Sequence, residues 1–273
     1  MQTALTIAGF DPSSGAGVTA DLVVFAAHGL FGTSCITSLT VQSTIGVRSS
    51  HPVEARIIAD TLACLDEDIP AAGIKVGMLA TEKAVETVSA FLEKLRMKES
   101  GAPLVVIDPV LRSSSGRELI DSRGAELLRS QLLPLADWVT PNLEELSFLT
   151  GNTVSNRDDL AAGARTLQSS VSVDRPAKIN ILAKGGHLDT PDDLVLTSDG
   201  EAHWLQGERV ETNSTHGTGC ALSSALLCRL LLGDDPVTAA RNAKAYVTEA
   251  LRQSTPIGRG RGPMNHLWPL RNS

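Results

Sequence analysis

Aromatic residues are scarce in this chain, since Phe, Tyr and Trp make up only 3% of its 273 residues. That is too few for a platform on which the bases of a single-stranded nucleic acid stack. Positive charge is not in excess either, because 24 Lys and Arg stand against 31 Asp and Glu, for a formal net charge of -7. Phosphate neutralisation needs a basic surface, so we expect no nucleic-acid partner.

Long apolar runs and an export signal are also missing. The apolar stretches are far shorter than the roughly 20 residues that a membrane-spanning helix needs, so we expect no membrane association. The N-terminal stretch MQTALTIAGFD has neither a basic segment nor a cleavage motif. These features predict a cytoplasmic protein.

The four cysteines form no C-x-x-C pair, and no histidine pair has zinc-ligand spacing. We therefore expect free, reduced thiols. Cys35, Cys64 and Cys228 lie in apolar stretches, which predicts buried core thiols. Cys220 differs from them because it directly follows glycines at the start of a predicted helix.

Strand-like and helical stretches alternate along the chain. Strands are predicted at 4–9, 34–42, 74–79, 103–110, 137–142 and 178–187, and a hairpin at 194–205. Helices are predicted at 19–29, 52–68, 82–98, 124–134, 143–151, 158–169, directly after Gly219, and at 234–253. Within 52–68 the helical spacing predicts one apolar face, formed by Ile57, Ile58, Leu62 and Leu65.

Continuous apolar strands that alternate with helices predict an α/β fold with a mostly parallel central sheet, covered by helices on both faces. The hairpin is expected to form an antiparallel edge. No Pro/Ser/Gly-rich linker or charged block divides the chain. We therefore expect a single domain over 1–273.

Glycine and polar positions follow the predicted strands. In parallel sheets ligands bind beyond the carboxyl ends of the strands, so these positions gather along one edge and indicate a site there. The positions are Gly9, Gln42, Met78, Asp108, Asn142 and Lys184.

The stretch NSTHGTGCALSSALL (213–227) places two glycines and a cysteine at the start of an apolar helix. One interpretation is a tight turn before a core helix. The other is an anion site, because the first N–H groups of a helix have no intrahelical partner and glycines let an anion approach them. Together with a lysine and acidic residues at the same sheet edge, the second interpretation supplies what phosphoryl transfer needs.

A competing motif lies at 15–20, where GAGVTA fits the dinucleotide fingerprint G-x-G-x-x-G/A. In that motif the glycines follow the strand at once, but here FDPSS intervenes. Gln42 stands where an acidic ribose ligand is expected, and Asp21 is too near the glycines for that role. A dinucleotide oxidoreductase is therefore disfavoured.

The motifs ALTIAGFDPSSGAGVTADL, VQSTIGV, KVGML, VVIDPV, TPNLEE, KGGH and THGTGCALSSAL span almost the whole chain. In order and spacing they resemble the bacterial hydroxymethylpyrimidine/phosphomethylpyrimidine kinases of thiamin biosynthesis. The resemblance implies a three-layer αβα ribokinase-like fold, ATP and Mg²⁺ as cofactors, a small pyrimidine substrate and a homodimer. A pyridoxal kinase on the same fold is the alternative. A non-catalytic relative is disfavoured because lysine, acid, glycine loop and thiol are all present.

The resemblance also implies roles for individual residues. Gln42 would pair with the aminopyrimidine edge, and the pyrimidine pocket would be lined by Gly9, Asp21 and Met78. Lys184 would contact ATP phosphates, also bound by Thr218 and Asn142, while the anion hole would comprise Gly217, Thr218 and Gly219. Glu145 and Asp108 would hold the metal, with Asn142 and Glu145 acting through water.

Cys220 occupies the position at which sugar kinases of the superfamily carry an aspartate base. Because a helix N-terminus lowers the pKa of a thiol, a thiolate base is expected; a loose transition state also allows Cys220 to serve mainly in positioning the substrate. The family often carries MVA-SG at 111–116, where this chain has LRSSSG. Arg112 in that stretch is either a contact for a substrate phosphate or a solvated flap residue.

Overall fold

The computed structural model describes residues 1–98, 101–113, 116–172, 178–186 and 188–271. Its strands are β1 (Thr3–Phe10), β2 (Phe31–Ser43), β3 (Gly46–Pro52), β4 (Gly73–Val76), β5 (Leu104–Ile107), β6 (Trp138–Val139), β7 (Asn180–Ala183), β8 (Asp193–Leu196) and β9 (Ala202–Leu205). Its α-helices are α1 (Gly17–Ala27), α2 (Ala55–Asp68), α3 (Glu82–Arg96), α4 (Ser122–Leu127), α5 (Leu143–Thr150), α6 (Arg157–Val171), α7 (Thr218–Leu231) and α8 (Pro236–Arg252).

The strands of the described residues form one nine-stranded sheet in the order β3-β2-β1-β4-β5-β6-β7-β8-β9. The strands from β2 to β7 in this order pair in parallel, while β8 and β9 form the expected antiparallel edge. The predicted α/β class with a mostly parallel sheet is confirmed. The strands are shorter than predicted at 103–110 and 137–142, because Pro109 and Pro141 cannot donate to a ladder.

A second antiparallel edge was not predicted from the sequence. Strand β3 pairs with β2 at the opposite end of the sheet, and its residues GVRSSHP are all partly or fully exposed. A strand at a sheet edge does not need an apolar face, so the hydrophobic alternation that marks inner strands is absent.

Two hydrophobic cores lie on the two faces of the sheet. Along β5, Val105 and Ile107 pack into the core under α2 to α6, whereas Val106 packs into the core under α1, α7 and α8. The alternation follows from the two-residue period of a strand. It produces three layers, with the sheet buried between helices.

Helix α2 shows where the predicted apolar face was wrong. Ile58 and Leu62 are completely buried and Leu65 packs partly against the core, but Ile57 is 53% exposed. Successive helical residues differ by about 100° in direction, so a stripe centred on Ile58 leaves its neighbour in solvent. Cys64 is exposed for the same reason, although it was expected in the core.

The predicted helix over 124–134 begins earlier and is not continuous. It starts at Ser122, where the Asp121 carboxylate accepts the Gly124 N–H at 2.6 Å. A π-helical turn over Leu128–Leu132 and a 3₁₀ turn over Leu133–Leu135 then complete it. None of the helices in the described part of the chain has the length and apolar character to cross a membrane.

The adjacent isoleucines of α2 give a matched test of this packing. We expect Ile58→Ala to lower the free energy of unfolding by about 2–5 kcal/mol, because it leaves a cavity in the core. Ile57→Ala changes helix propensity equally but removes an exposed side chain, so its effect should be about 0.5 kcal/mol or less. Urea denaturation of both variants measures the difference, and equal losses would contradict the assigned face.

Candidate active site

The N-terminus of α7 is open toward the carboxyl edge of the sheet. Its N-cap is Gly217, with φ at 78° and no side-chain cap from the described residues. A Cβ atom at this position would lie 1.8 Å from the Gly15 carbonyl oxygen, so both the backbone and the space require glycine. The uncapped N–H groups of Thr218, Gly219 and Cys220 therefore form a region suited to an anion. This arrangement agrees with the anion-hole interpretation of the sequence.

Lys184 and Asp108 form an ion pair beside this helix terminus. Lys184 Nζ lies 2.8 Å from Asp108 Oδ1 and 3.6 Å from Glu145 Oε2. A Cβ atom on Gly219 would be 3.3 Å from Nζ and 3.7 Å from Asp108 Oδ2. The pair therefore faces the first turn of α7, where a phosphate would bind both the cation and the helix.

The protonation states of this pair follow from its surroundings. Burial opposes the charged form of Lys184, but Asp108 and Glu145 outweigh burial and raise the pKa of the amine. Burial likewise disfavours the Asp108 carboxylate, yet Lys184 and Lys75 hold its pKa below its usual value. Both groups are consequently charged at neutral pH.

Asn142 and Glu145 cap the N-terminus of α5. The Asn142 N–H donates to Glu145 Oε2 at 2.8 Å, and the Glu145 N–H donates to Asn142 Oδ1 at 2.9 Å. This reciprocal capping box is what N-x-x-E at a helix start predicts. Burial raises the pKa of Glu145 to about 7, and the nearby Asp108 also acts in that direction. The box fixes the Glu145 carboxyl next to Lys184.

The carboxyl groups of Asp108 and Glu145 are the candidate metal ligands at this edge. Among the described residues, no group of three His, Cys, Asp or Glu side chains could hold one. Mg²⁺ in phosphoryl-transfer sites takes only one or two carboxylates and completes its shell with water and substrate phosphates. The pair Asp108 and Glu145 fits this pattern, because Lys184 and the helix cap engage only Asp108 Oδ1 and Glu145 Oε2.

Cys220 differs from its expected ionisation. Burial raises the pKa of its thiol to about 11, and Lys75 and an N–H from Gly17 counteract this only in part. The expectation of a lowered pKa is therefore wrong for the free protein, because desolvation at this buried position outweighs the helix terminus. The Gly17 contact also shows that the thiol lies at the start of α1 as well as α7.

Asp21 lies behind the site. Its carboxylate is completely buried and accepts hydrogen bonds from Thr6 at 2.6 Å, Lys75 at 2.9 Å and Ser224 at 2.8 Å. Asp21 therefore holds Lys75 and α7 in place, and the direct contact with the pyrimidine that the resemblance implies stays a prediction. Lys75 was missed because a lysine inside the apolar strand IKVGML has no local signal of an ion partner.

Gly9 and Met78 are in contact at the ends of β1 and β4, and Gln42 lies at the end of β2. A Cβ atom on Gly9 would be 2.9 Å from Met78 Sδ, so a side chain at position 9 would collide with Met78. Gln42 is half-buried, and one end of its side-chain amide lies 2.9 Å from His216 Nε2. The structure thus brings these three expected pocket residues to the same edge of the sheet.

His216 and Asp11 were not predicted as site residues, although both lie in the motifs THGTGC and FDPSS. His216 Nε2 lies 2.7 Å from Asp11 Oδ2, and Asp11 is 3% exposed. Their proximity to each other and to Gln42 depends on contacts between residues up to 205 positions apart, which the local sequence does not encode.

Arg112 is exposed and lies 3.3 Å from Glu118, in a short bridge that closes the loop after β5. Ser114 and Ser115 of the same loop, and His187 of the KGGH motif, lie outside the described residues. Both interpretations of Arg112 stay predictions.

The large cavity of about 1220 Å³ lies away from this edge, between α8, the end of α7 and the segment after β9. Three of its lining cations, Arg229, Lys244 and Arg252, are each paired with a carboxylate. We expect the chemistry at the carboxyl edge of the sheet, because the uncapped helix, the thiol and the lysine converge there.

Comparison with known proteins identifies the family of the chain. The chain matches the phosphomethylpyrimidine kinase family over residues 11–265. It is 39% identical to the hydroxymethylpyrimidine/phosphomethylpyrimidine kinase of Haemophilus influenzae, over 96% of this chain and 95% of that protein. It is also 39% identical to the thiamine biosynthesis bifunctional protein ThiED of Geobacter sulfurreducens, over 96% of this chain but only 52% of that protein. The chain thus spans about half the length of this second relative.

Among solved structures, the ADP complex of Bacillus subtilis pyridoxal kinase superposes with a TM-score of 0.84 at 30% identity, over 100% of each chain. This likeness confirms the ribokinase-like fold that the motifs implied. With the family match and the identity to the H. influenzae enzyme over nearly the full length, the chain belongs to the phosphomethylpyrimidine kinase family.

Proposed function

We propose that this protein transfers the γ-phosphoryl group of ATP to the hydroxymethyl group of 4-amino-5-hydroxymethyl-2-methylpyrimidine, and a second one to the resulting monophosphate, in thiamin biosynthesis. The whole chain acts as a single kinase domain. The observation that carries the proposal is the charged pair Lys184–Asp108 facing the uncapped N-terminus of α7, with Cys220 in the first turn of that helix.

The phosphate end of the site stabilises charge. Lys184 and the N–H groups from Gly217 to Gly219 bind the transferring group, and Thr218 adds a hydroxyl. Such preorganised donors act most strongly where negative charge develops in the transition state. Asn142 holds Glu145 in position through the capping box.

Asp108 and Glu145 are the residues that would hold Mg²⁺. When bound, the ion supplies charge neutralisation and orientation of the ATP phosphates. The ADP complex of the B. subtilis relative supports ATP as the phosphoryl donor.

The pyrimidine end is formed by Gly9, Met78 and Gln42. The Gln42 amide carries both a donor and an acceptor, which matches the ring nitrogen and exocyclic amine of an aminopyrimidine. Asp21 supports this end indirectly, through Lys75.

Cys220 lies between the two ends and accepts the proton of the hydroxymethyl group. With the pKa of the thiol at about 11, it is protonated in the free protein at neutral pH. Proton transfer then depends on the small thiolate fraction, which Lys75 stabilises.

We also propose a cytoplasmic location and a homodimer. The first is supported by the four cysteines, which are all free.

A coupled ATP-turnover assay with three acceptors tests the activity. We expect turnover with the pyrimidine alcohol and with its monophosphate, and a kcat/KM for both well above that for pyridoxal. Turnover with pyridoxal alone would favour the pyridoxal kinase alternative. No turnover with any acceptor would overturn the kinase assignment at this site.

Removal of the phosphate-binding lysine should act on turnover. We expect Lys184→Ala to lower kcat about 10²–10³-fold, the typical loss for one preorganised charge-stabilising donor. The control is Lys98→Ala. Lys98 is also paired with an aspartate, Asp66 at 2.6 Å, but it precedes β5 and lies at the opposite edge of the sheet. Steady-state kinetics at saturating substrate and circular dichroism check the two variants. An unchanged kcat in folded Lys184→Ala would exclude the phosphate role.

The pH profile tests the role of Cys220. Because burial raises the thiol pKa to about 11, the thiolate fraction should increase about tenfold per pH unit below that value, and the single-turnover rate of the wild type should rise with it between about pH 7 and 9. Cys220→Ala should lose about 10²-fold or more. Cys220→Asp should recover part of the rate and show no rise, because a carboxylate is already ionised.

A flat wild-type profile, or near-normal turnover in Cys220→Ala, would show that the thiol is not the base. Catalysis would then rest on the helix terminus and Lys184.

A further inference from the structure

The hydrogen-bond partners of Gln42 determine the orientation of its side-chain amide. One end of its side-chain amide lies 2.9 Å from His216 Nε2, and the other end lies 3.2 Å from the Thr40 hydroxyl. The two ends of an amide are nearly the same in size, so their hydrogen-bond partners determine which is oxygen and which is nitrogen.

The Asp11 carboxylate determines the state of His216. It accepts from the Ser13 N–H at 2.8 Å, the Ser13 hydroxyl at 2.7 Å and the Ala16 N–H at 3.0 Å, and it lies 2.7 Å from His216 Nε2. Burial works against the carboxylate, but the hydrogen bonds from His216 and Ser13 lower its pKa. An ionised carboxylate can only accept, so Nε2 of His216 must carry a proton, whether or not Nδ1 carries one too.

A protonated Nε2 cannot accept a hydrogen bond from an amide NH₂ group. The end of Gln42 that faces His216 is therefore the carbonyl oxygen, which shares the Nε2 proton with Asp11.

Thr40 leads independently to the same orientation. Its hydroxyl lies 2.9 Å from the Phe10 carbonyl oxygen, which can only accept, so the single hydroxyl proton is used there. The hydroxyl oxygen can then only accept from Gln42, and the end of the amide that faces Thr40 is the NH₂ group. The His216 ring is itself held, because a Cβ atom on Gly15 would lie 2.3 Å from its Cδ2.

We propose that Asp11 and His216 are positioning residues that fix the polarity of the Gln42 amide and thereby select a 4-aminopyrimidine over its 4-oxo counterpart. The inference rests on the proposed function. When the hydroxymethyl group lies at Cys220, the ring cannot turn over without moving that group away. The C4 substituent and ring N3 therefore meet Gln42 in one order. The fixed oxygen of Gln42 accepts from the 4-amino group, and its NH₂ group donates to ring N3. A 4-oxo ring presents the reverse pattern of O4 acceptor and N3–H donor.

The Asp11–His216 pair supplies the shorter of the two contacts that fix the Gln42 amide, 2.9 Å against 3.2 Å for Thr40. Without the pair, turning the amide over costs only the longer Thr40 contact, and the site can match either ring. Discrimination between the two rings therefore depends on these two residues as well as on Gln42. With the 4-oxo ring both hydrogen bonds are mismatched, and polar groups of the site are left buried without a partner. The site should therefore bind this ring much more weakly than the 4-amino ring.

Calorimetry without ATP tests this with two probes, the 4-amino-5-hydroxymethyl-2-methylpyrimidine and its 4-oxo analogue. We expect the wild type to bind the amino compound at least about 10²-fold more tightly. In His216→Phe and Asp11→Asn the ratio of the two Kd values should fall to about tenfold or less, because only the longer Thr40 contact then opposes rotation of the amide. The matched control is His51→Phe, which removes an exposed histidine on β3 and should leave the ratio unchanged.

A second measurement uses the unliganded wild type, so it does not depend on the folding of the variants used in calorimetry. Nitrogen NMR of ¹⁵N-labelled histidine should show His216 protonated at Nε2. An Nε2 without a proton, or a Kd ratio unchanged in both folded variants, would overturn the inference and leave the proposed function intact. If the wild type binds neither pyrimidine, the proposed function fails, and the selectivity inference fails with it.

Discussion

The buried ion pair between Asp21 and Lys75 is the interaction on which the site depends. Both side chains are completely excluded from solvent and lie 2.9 Å apart. Asp21 belongs to α1 and Lys75 to β4, while the other two partners of Asp21 come from β1 and α7. One carboxylate thus joins the sheet to both helices whose N-termini meet at Cys220. Loss of one partner would leave an uncompensated buried charge, which is strongly destabilising.

Lys75 also links this support to the chemistry. Its pKa is raised because Asp21, Cys220 and Asp108 together outweigh the effect of burial, and it is in turn the main group that lowers the pKa of the Cys220 thiol. Lys184 balances Asp108 and Glu145 on the other side of the first turn of α7. Two lysines and two carboxyl groups therefore lie near the first turn of α7, and ion pairs hold them in place in the free protein. Such preorganisation is what charge stabilisation in a transition state requires.

At the other end of the site, polarity is controlled by hydrogen bonds instead of ion pairs. The Asp11 carboxylate accepts the proton of His216 Nε2, and the same Nε2–H group is the donor that faces Gln42. The same short stretch after β1 that supplies Asp11 also supplies Gly15 and Gly17, which pack against His216 and Cys220. Recognition of the ring and positioning of the thiol are therefore coupled through one loop.

The amino-acid sequence by itself determined the alternating strands and helices, the α/β class, the glycine start of α7 and the membership suggested by the motifs, because these depend on local periodicity and on residues close together in the chain. It also predicted that Lys184 and Asp108 lie at one edge of the sheet, where the structure pairs them, because strand ends meet at that edge in a parallel sheet. The tertiary structure alone decided the edge strand β3, whose polar residues carry no periodic signal. It also decided the exposure of Ile57, the raised pKa of Cys220 and the contacts of Asp21 with Lys75 and of Asp11 with His216. Burial and charge pairing arise between residues far apart in the chain, and neither can be evaluated until the fold has brought those residues together.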